Sequence, residues 1–125
     1  MLLCLMAWMQ IFLMVIDFSI DEFLGGKLKI KQPKKGYRAG IDPVLLAASV
    51  NASKGDNILE LGCGVGVASL CLAKRVAGLN IYGVEIQSDY AALATENSQL
   101  NSMDLNVVSA DIGRLPDSVK QIQFD

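Results

Sequence analysis

The segment from Asn57 to Glu85 restricts this chain to a small set of folds. An apolar run, Asn57 to Leu61, leads into Gly62, Gly64 and Gly66; a helical stretch follows from Val67 to Val76, and a second apolar run, Asn80 to Val84, ends at Glu85. Glycine takes left-handed backbone without strain, so three of them at alternate positions make a tight turn at the end of a strand. The rhythm then repeats. Asp89 caps a helix to about Asn101, Leu105 to Ala110 reads as a third strand, Leu115 to Gln121 as a weak helix, and Phe124-Asp125 stands where a fourth strand should begin. Strands alternating with helices imply a parallel sheet with right-handed crossovers, and so an α/β fold.

In open α/β sheets a ligand sits beyond the carboxyl ends of the strands, where the backbone approaches it and a helix N-terminus supplies donors. Gly62, Gly64 and Gly66 occupy that place after the first strand. A dinucleotide fingerprint starting at Gly62 requires Gly or Ala at Val67, and one starting at Gly64 requires the same at Ser69, so neither register fits. An oxidoreductase that binds a nicotinamide dinucleotide is therefore a distant alternative. Glu85 follows Gly62 by 23 residues, near the roughly 20 at which a carboxylate accepts bonds from ribose hydroxyls. A solvent-exposed strand-end acid is the competing reading. Glu60 lies inside the first strand, where an unpaired acid is costly, which disfavours the competing reading of a charge merely placed near the loop.

Upstream, Ser19 and Glu22 have the spacing of a capping box, and Gly25-Gly26 can end the single helical turn they would start. Lys27 to Gln32 alternates, with Leu28 and Ile30 on one face and lysines on the other, as in a half-buried strand. Pro33 to Gly36 is a turn. Asp42 followed by Pro43 reads as an N-cap and first helical position, with a helix to about Val50; Lys54 to Asp56 turns the chain again. The organisation is then an apolar extension over residues 1–16, a strand and helix region over 17–56, and the repeating α/β unit over 57–125.

Charge is uneven within a net -2: Phe23 to Ile41 holds Lys27, Lys29, Lys31, Lys34, Lys35 and Arg38 and no acid, whereas the segments on either side are acidic. The total makes no case for nucleic-acid binding, but the location of the bases does. Cys4, Cys63 and Cys71 are odd in number and unpaired in spacing, and there is no histidine, which argues against a disulfide framework or a metal site. Met1 to Ile16 is apolar except for Gln10. It is shorter than the roughly 20 residues that a spanning helix needs, lacks a preceding base, and ends at Asp17 without a cleavage site. A membrane role is thus disfavoured; an upstream start, with Met14 the natural beginning, and an extra helix lying on the fold are the competing readings.

The pattern Glu60-x-Gly62-x-Gly64-x-Gly66 resembles motif I of class I S-adenosylmethionine-dependent methyltransferases, which have a Rossmann-like fold. Residues 23–48, which run PheLeuGlyGlyLysLeuLysIleLysGlnProLysLysGlyTyrArgAlaGlyIleAspPro and on through the Leu-Leu helix, resemble the N-terminal region of the tRNA1(Val) adenine-N6 methyltransferases and their small-domain relatives. The resemblance runs from about Phe23 to Asp125. It implies that the glycines pass under the methionyl part of S-adenosylmethionine, that Glu60 lies near the methionyl ammonium, and that Glu85, with Ile86 beside it, meets the ribose. It further implies that Asp111 bonds the adenine amino group while Ile112 packs on the ring, and that Tyr37, Arg38 and Asp42 lie over the pocket. For Asp42 a capping role, and for Arg38 a surface role, remain open. The lysine-rich strand with Arg38 would suit a tRNA backbone, whose binding rests largely on phosphate neutralisation; a solvated strand face is the alternative.

The Asn-Pro-Pro-Tyr motif that orients the target amine in adenine-N6 and glutamine-N5 enzymes of this type is absent from these 125 residues. The expectation is a cofactor-binding N-terminal half, three parallel strands preceded by a short hairpin and helix extension, with no catalytic residue of its own and little activity alone. Its open sheet edge would favour self-association. A cytoplasmic tRNA-modifying enzyme is the leading reading. A release-factor-type glutamine N5-methyltransferase and an inactive cofactor-binding or membrane-anchored module are the rivals.

Overall fold

The structure, a computed structural model, describes residues 17–125. The apolar extension expected over residues 1–16 lies outside them. The element order is β1 (Phe18–Phe23), β2 (Leu28–Pro33), α1 (Asp42–Ser49), β3 (Asn57–Leu61), α2 (Val67–Arg75), β4 (Asn80–Glu85), α3 (Ser88–Leu100), β5 (Asn106–Ser109), a 3-10 turn (Ile112–Arg114) and the single-turn α4 (Asp117–Lys120). No helix among the described residues is long and apolar enough to cross a membrane.

β3, β4 and β5 form a parallel sheet in that order, with Leu61 opposite Val84 and Glu85 opposite Ser109. All three strands thus deliver their carboxyl ends, at Gly62, Glu85 and Ala110, to one side. The core joins Val67, Leu70, Cys71 and Leu72 of α2, Ile81 of β4 and Leu93 of α3 to Leu28 and Ile30 of β2. Each of the last two is fully buried, a burial that contributes about 1.5–3 kcal/mol per side chain.

The segment Phe18–Phe23 is a strand and not the helical turn that the Ser19–Glu22 spacing suggests. It pairs antiparallel with β2, Ser19 opposite Gln32 and Glu22 opposite Lys29. The positive φ of Leu24, Gly25 and Gly26 makes the reversal that permits this. A single helical turn has little intrinsic stability, whereas the paired strand satisfies the backbone and suits Phe18, Ile20 and Phe23. Ser19 bonds Asp21 and Arg38 instead of a helix N-terminus. Two further caps differ from expectation. Ile41, without a side-chain bond, occupies the cap of α1, so Asp42 is already helical; Gln87 caps α3, and Asp89 lies inside it with its carboxylate accepting the Tyr90 N–H at 2.9 Å.

The hairpin docks on the α/β unit through amide side chains. Asn97 of α3 and Asn101, the C-cap one turn later, each exchange a pair of bonds with one residue of β2. Asn101 accepts the Lys29 N–H (2.9 Å) and donates to the Lys29 carbonyl (2.8 Å); Asn97 accepts the Lys31 N–H (2.8 Å) and donates to the Lys31 carbonyl (3.0 Å). In effect the two amides take the place of a neighbouring strand on the edge of β2 that faces away from β1. At the other end of the fold, the Asp125 N–H donates to the Asn57 carbonyl (2.9 Å), and the Asp125 carboxylate accepts the Asn57 N–H (2.9 Å). β4 lies on the opposite side of β3, so residues 123–125 meet the second edge of that strand at its first residue, Asn57.

Candidate functional site

At the carboxyl ends of β3 and β4 opens a cleft of about 470 Å³, lined by Glu60, Gly62, Cys63 and Gly64, by Glu85 and Gln87, by Tyr90 of α3, and from above by Tyr37, Ala39, Asp42, Pro43 and Leu46. The volume lies in the range of small-molecule sites. Its floor is the turn after β3. The N–H groups of Gly62 and Cys63 both donate to the Val84 carbonyl, at 2.8 and 3.0 Å, which pins the turn to the tip of β4. Gly62 and Gly64 have φ of +75° and +56°, and a Cβ at either would meet nothing within 4 Å. Backbone geometry therefore selects glycine at both positions, and the space above them is open to a ligand.

Glu85 is buried and its carboxylate is held by main chain: one oxygen accepts the Gly64 N–H at 2.8 Å and the other the Gln87 N–H at 2.9 Å. Each oxygen keeps a second lone pair for a donor arriving in the cleft. Glu60 is half-buried in β3, where burial pushes its carboxyl above the ordinary value of 4.5, and the hydroxyl and N–H of Ser69 on α2 pull it partway back. This is the partner that an acid inside a strand requires. Burial also pushes the Cys63 thiol up to about 12, with the Glu60 and Glu85 charges adding to it, and the Cys71 thiol up to about 11. Both thiols are protonated at neutral pH and make poor nucleophiles. The lining thus holds three carboxylates, Asp42, Glu60 and Glu85, and no Lys or Arg.

The structure gathers Tyr37, Asp42, Glu60, Gly62, Gly64 and Glu85 around this cleft and leaves the other anticipated residues off its lining. Gly66 caps α2 and packs against Leu105 and Ala94. Ile86 is exposed beside Glu85. Asp111 and Ile112 lie in the turn after β5, which the Ala110 N–H ties to the Glu85 carbonyl at 3.0 Å; the Asp111 carboxylate accepts the Gly113 N–H. Arg38 points away from the cleft and fastens the 37–41 strap to the hairpin, donating to the Pro33 carbonyl, the Ser19 hydroxyl and, at 2.6 Å, the Asp21 carboxylate. Buried Gln32 completes that joint: it donates to Asp21 and accepts the Ala39 N–H, each at 2.7 Å. Of the lysines, Lys31 pairs with Glu96 and Lys34 with Asp17, while Lys27, Lys29 and Lys35 are exposed without an ion pair among the described residues.

Sequence reasoning missed Gln87 and Tyr90 in the lining and Asn97 behind it. The signal for Asn97 was present. On the stripe Tyr90, Leu93, Ala94, Asn97, Asn101, the asparagines fall in line with the apolar residues of an amphipathic helix, and a polar residue there needs a partner.

A parallel sheet, a left-handed glycine turn and a buried acid at the end of the next strand define an α/β protein with a small-molecule site at its strand ends. Residues 58–125 match the family model described as a methyltransferase domain, and the chain belongs to that family. Over 71 residues it is 38% identical to a tRNA1(Val) (adenine(37)-N6)-methyltransferase of a Flavobacteriaceae bacterium, an alignment covering 57% of this chain and 31% of that one. Over 85 residues it is 32% identical to a putative protein N5-glutamine methyltransferase of Methanocaldococcus jannaschii, covering 68% of this chain and 43% of that one. The chain thus spans less than half the length of either relative. Among solved structures, the Pyrococcus abyssi tRNA (uracil-54, C5)-methyltransferase in complex with S-adenosyl-L-homocysteine superposes with a TM-score of 0.62 at 24% identity, over 78% of this chain and 24% of that one. The Thermus thermophilus 16S rRNA N2 G1207 methyltransferase gives 0.60 at 18% identity, over 76% and 28%. The Rossmann-like fold is that of the methyltransferases, as the resemblance implied.

Proposed function

We propose that the cleft binds S-adenosylmethionine and that the chain forms the donor-binding part of an enzyme that methylates an exocyclic adenine nitrogen in tRNA. The observation that carries the donor assignment is the charge of the site. Three carboxylates and no base line a cleft of ligand size, which suits a ligand bearing a sulfonium and an ammonium and opposes a dinucleotide, whose pyrophosphate would meet like charge. Glu85, already fixed by Gly64 and Gln87, accepts the ribose hydroxyls; Glu60 faces the ammonium; the Gly62–Gly64 turn lets main chain lie against the methionyl part. Asp111 and Ile112, on the turn tied to Glu85, reach the adenine. When bound, the donor supplies an electrophilic methyl group, and the chain's own contribution is to orient it and exclude water. Tyr37, on the strap held by Arg38 and Gln32, and Asp42, at the start of α1, close the upper side.

RNA as substrate is supported by the adenine-N6 relative and by the exposed Lys27, Lys29 and Lys35 along β2 and the turns at its two ends, which offer unpaired charge among the described residues. The glutamine N5 reading is the second, supported by the M. jannaschii relative, which matches a longer stretch of the chain.

Calorimetric titration with S-adenosylmethionine tests the donor assignment: a Glu85→Ala chain should bind at least about tenfold more weakly, as expected for loss of charge-assisted bonds. Equal affinity would remove Glu85 from the site. For the substrate, binding of a tRNA transcript should weaken steeply with salt, and K27A/K29A/K35A should flatten that slope by up to about three phosphate contacts. A slope unchanged by the triple substitution favours the protein substrate.

A further inference from the structure

The side chain of Asn97 is fully buried and binds two elements at once. Besides its pair of bonds with Lys31 of β2, its amide donates to the Val65 carbonyl at 2.9 Å. Val65 is the middle residue of Gly64-Val65-Gly66. The tripeptide is therefore held from one side by Glu85, through the Gly64 N–H, and from the other by Asn97, through the Val65 carbonyl. Asn101 provides the contrast. It makes the same exchange with Lys29 but otherwise bonds only the Asn97 carbonyl of the helix it caps, and makes no hydrogen bond to the glycine turn.

We propose that Asn97 is a positioning residue that couples the glycine turn to the lysine-bearing hairpin, so that a ligand ordering the turn also steadies the hairpin. The inference rests on the reading of the cleft as a donor site only for the identity of that ligand; the coupling is a property of the protein itself. Two Nδ2 protons and one Oδ1 acceptor are all in use, and no other residue type of this size offers the same set. Both bonded groups are main chain, so a displacement of Val65 changes the position in which the amide can serve Lys31. A second ligand meeting a hairpin already held would lose less conformational freedom on binding. That is the form in which filling the cleft would assist a partner on the lysine face.

Hydrogen exchange followed by mass spectrometry on the full chain tests this, with and without S-adenosylhomocysteine. Without ligand, Asn97→Ala should speed exchange in peptides from both β2 and the turn at 62–66, while Asn101→Ala should speed it in β2 alone. With ligand, the parent chain and Asn101→Ala should gain protection in the turn and in β2 together. Asn97→Ala should gain it in the turn only, with affinity reduced about tenfold by the loss of one buried partner of the turn. Asn97→Asp keeps the volume and the acceptor for Lys31 but replaces the donors, and serves if the alanine chain does not fold; it should behave as alanine does. Equal effects of the Asn97 and Asn101 substitutions in the absence of ligand, or β2 protection in an Asn97 variant that still follows the ligand, would overturn the coupling. A parent chain that takes up no ligand, yet shows the unliganded contrast, refutes the donor site and leaves the coupling standing.

Discussion

Glu60 shows how one residue joins folding to binding. Burial raises its carboxyl above the usual value, so the folded chain holds that proton more tightly than the unfolded chain does. The sign follows: this contribution to stability is complete below about pH 4.5, the ordinary value, and declines as pH rises through the raised one. Glu60→Gln removes the decline. Urea midpoints should show the variant gaining on the parent between pH 4 and pH 7; a constant gap would contradict the burial argument. A cation in the cleft favours the ionised form, so donor affinity in the parent should rise with pH over the same interval, with proton release visible as a dependence of binding heat on the buffer. The variant should show neither. The acid itself could be read in the sequence because it stands in a strand directly before the glycines. Its partner could not, since Ser69 is an ordinary helix residue until α2 folds back against β3.

At the level of elements, the joints are made by side chains bonding main chain. Arg75, on the last turn of α2, donates to the Ala47 carbonyl at 3.0 Å and to the Val50 carbonyl, closing the C-terminus of α1. Arg75→Ala leaves those carbonyls to water and removes a cation from a helix C-terminus, a loss of about 1–2 kcal/mol. Thermal unfolding should show the drop. Because α1 carries Asp42, Pro43 and Leu46 to the cleft, ligand affinity should fall with it, whereas a loss confined to stability would mean that α1 is not held in register by this contact. Such joints explain what was legible in the sequence. The β3 to β5 unit was, because the apolar periods and the glycines are local signals and each element follows the last. The Phe18–Phe23 strand was not: its partner β2, rather than its own residues, decides its conformation, and a capping-box spacing is common by chance. In the site, Glu60, Gly62, Gly64 and Glu85 were legible from their places at the ends of the strands or just inside them. Tyr90 was not, because its position depends on how α3 packs; Asn97 could be singled out on the apolar stripe of α3, but its partners could not, because only that packing supplies them.

Across the whole molecule, β3 is the strand about which the connectivity turns. β4 lies on one side of it and residues 123–125 on the other, with Phe124 packed edge-on against Tyr82 at a centroid distance of 5.6 Å. The glycine turn leaves β3 at its other end, beyond Leu61, where open α/β sheets hold their ligands. Phe124→Ala should cost about 1–2 kcal/mol through lost apolar area and the aromatic pair, read as a lower urea midpoint with the slope unchanged. A wild-type midpoint would mean that these residues leave the edge of β3 in solution. The docking of the hairpin has a consequence in time. β1 and β2 are synthesised early, but the amides that hold β2 belong to Asn97 and Asn101, 66 and 72 residues further along. At the usual speed of translation the delay is roughly 3–14 s. Throughout it, Leu28 and Ile30 can meet α1 and α2 but not Leu93 of α3, so the hairpin, made before the helix that fastens it, reaches its docked state only after the rest of the core has been synthesised.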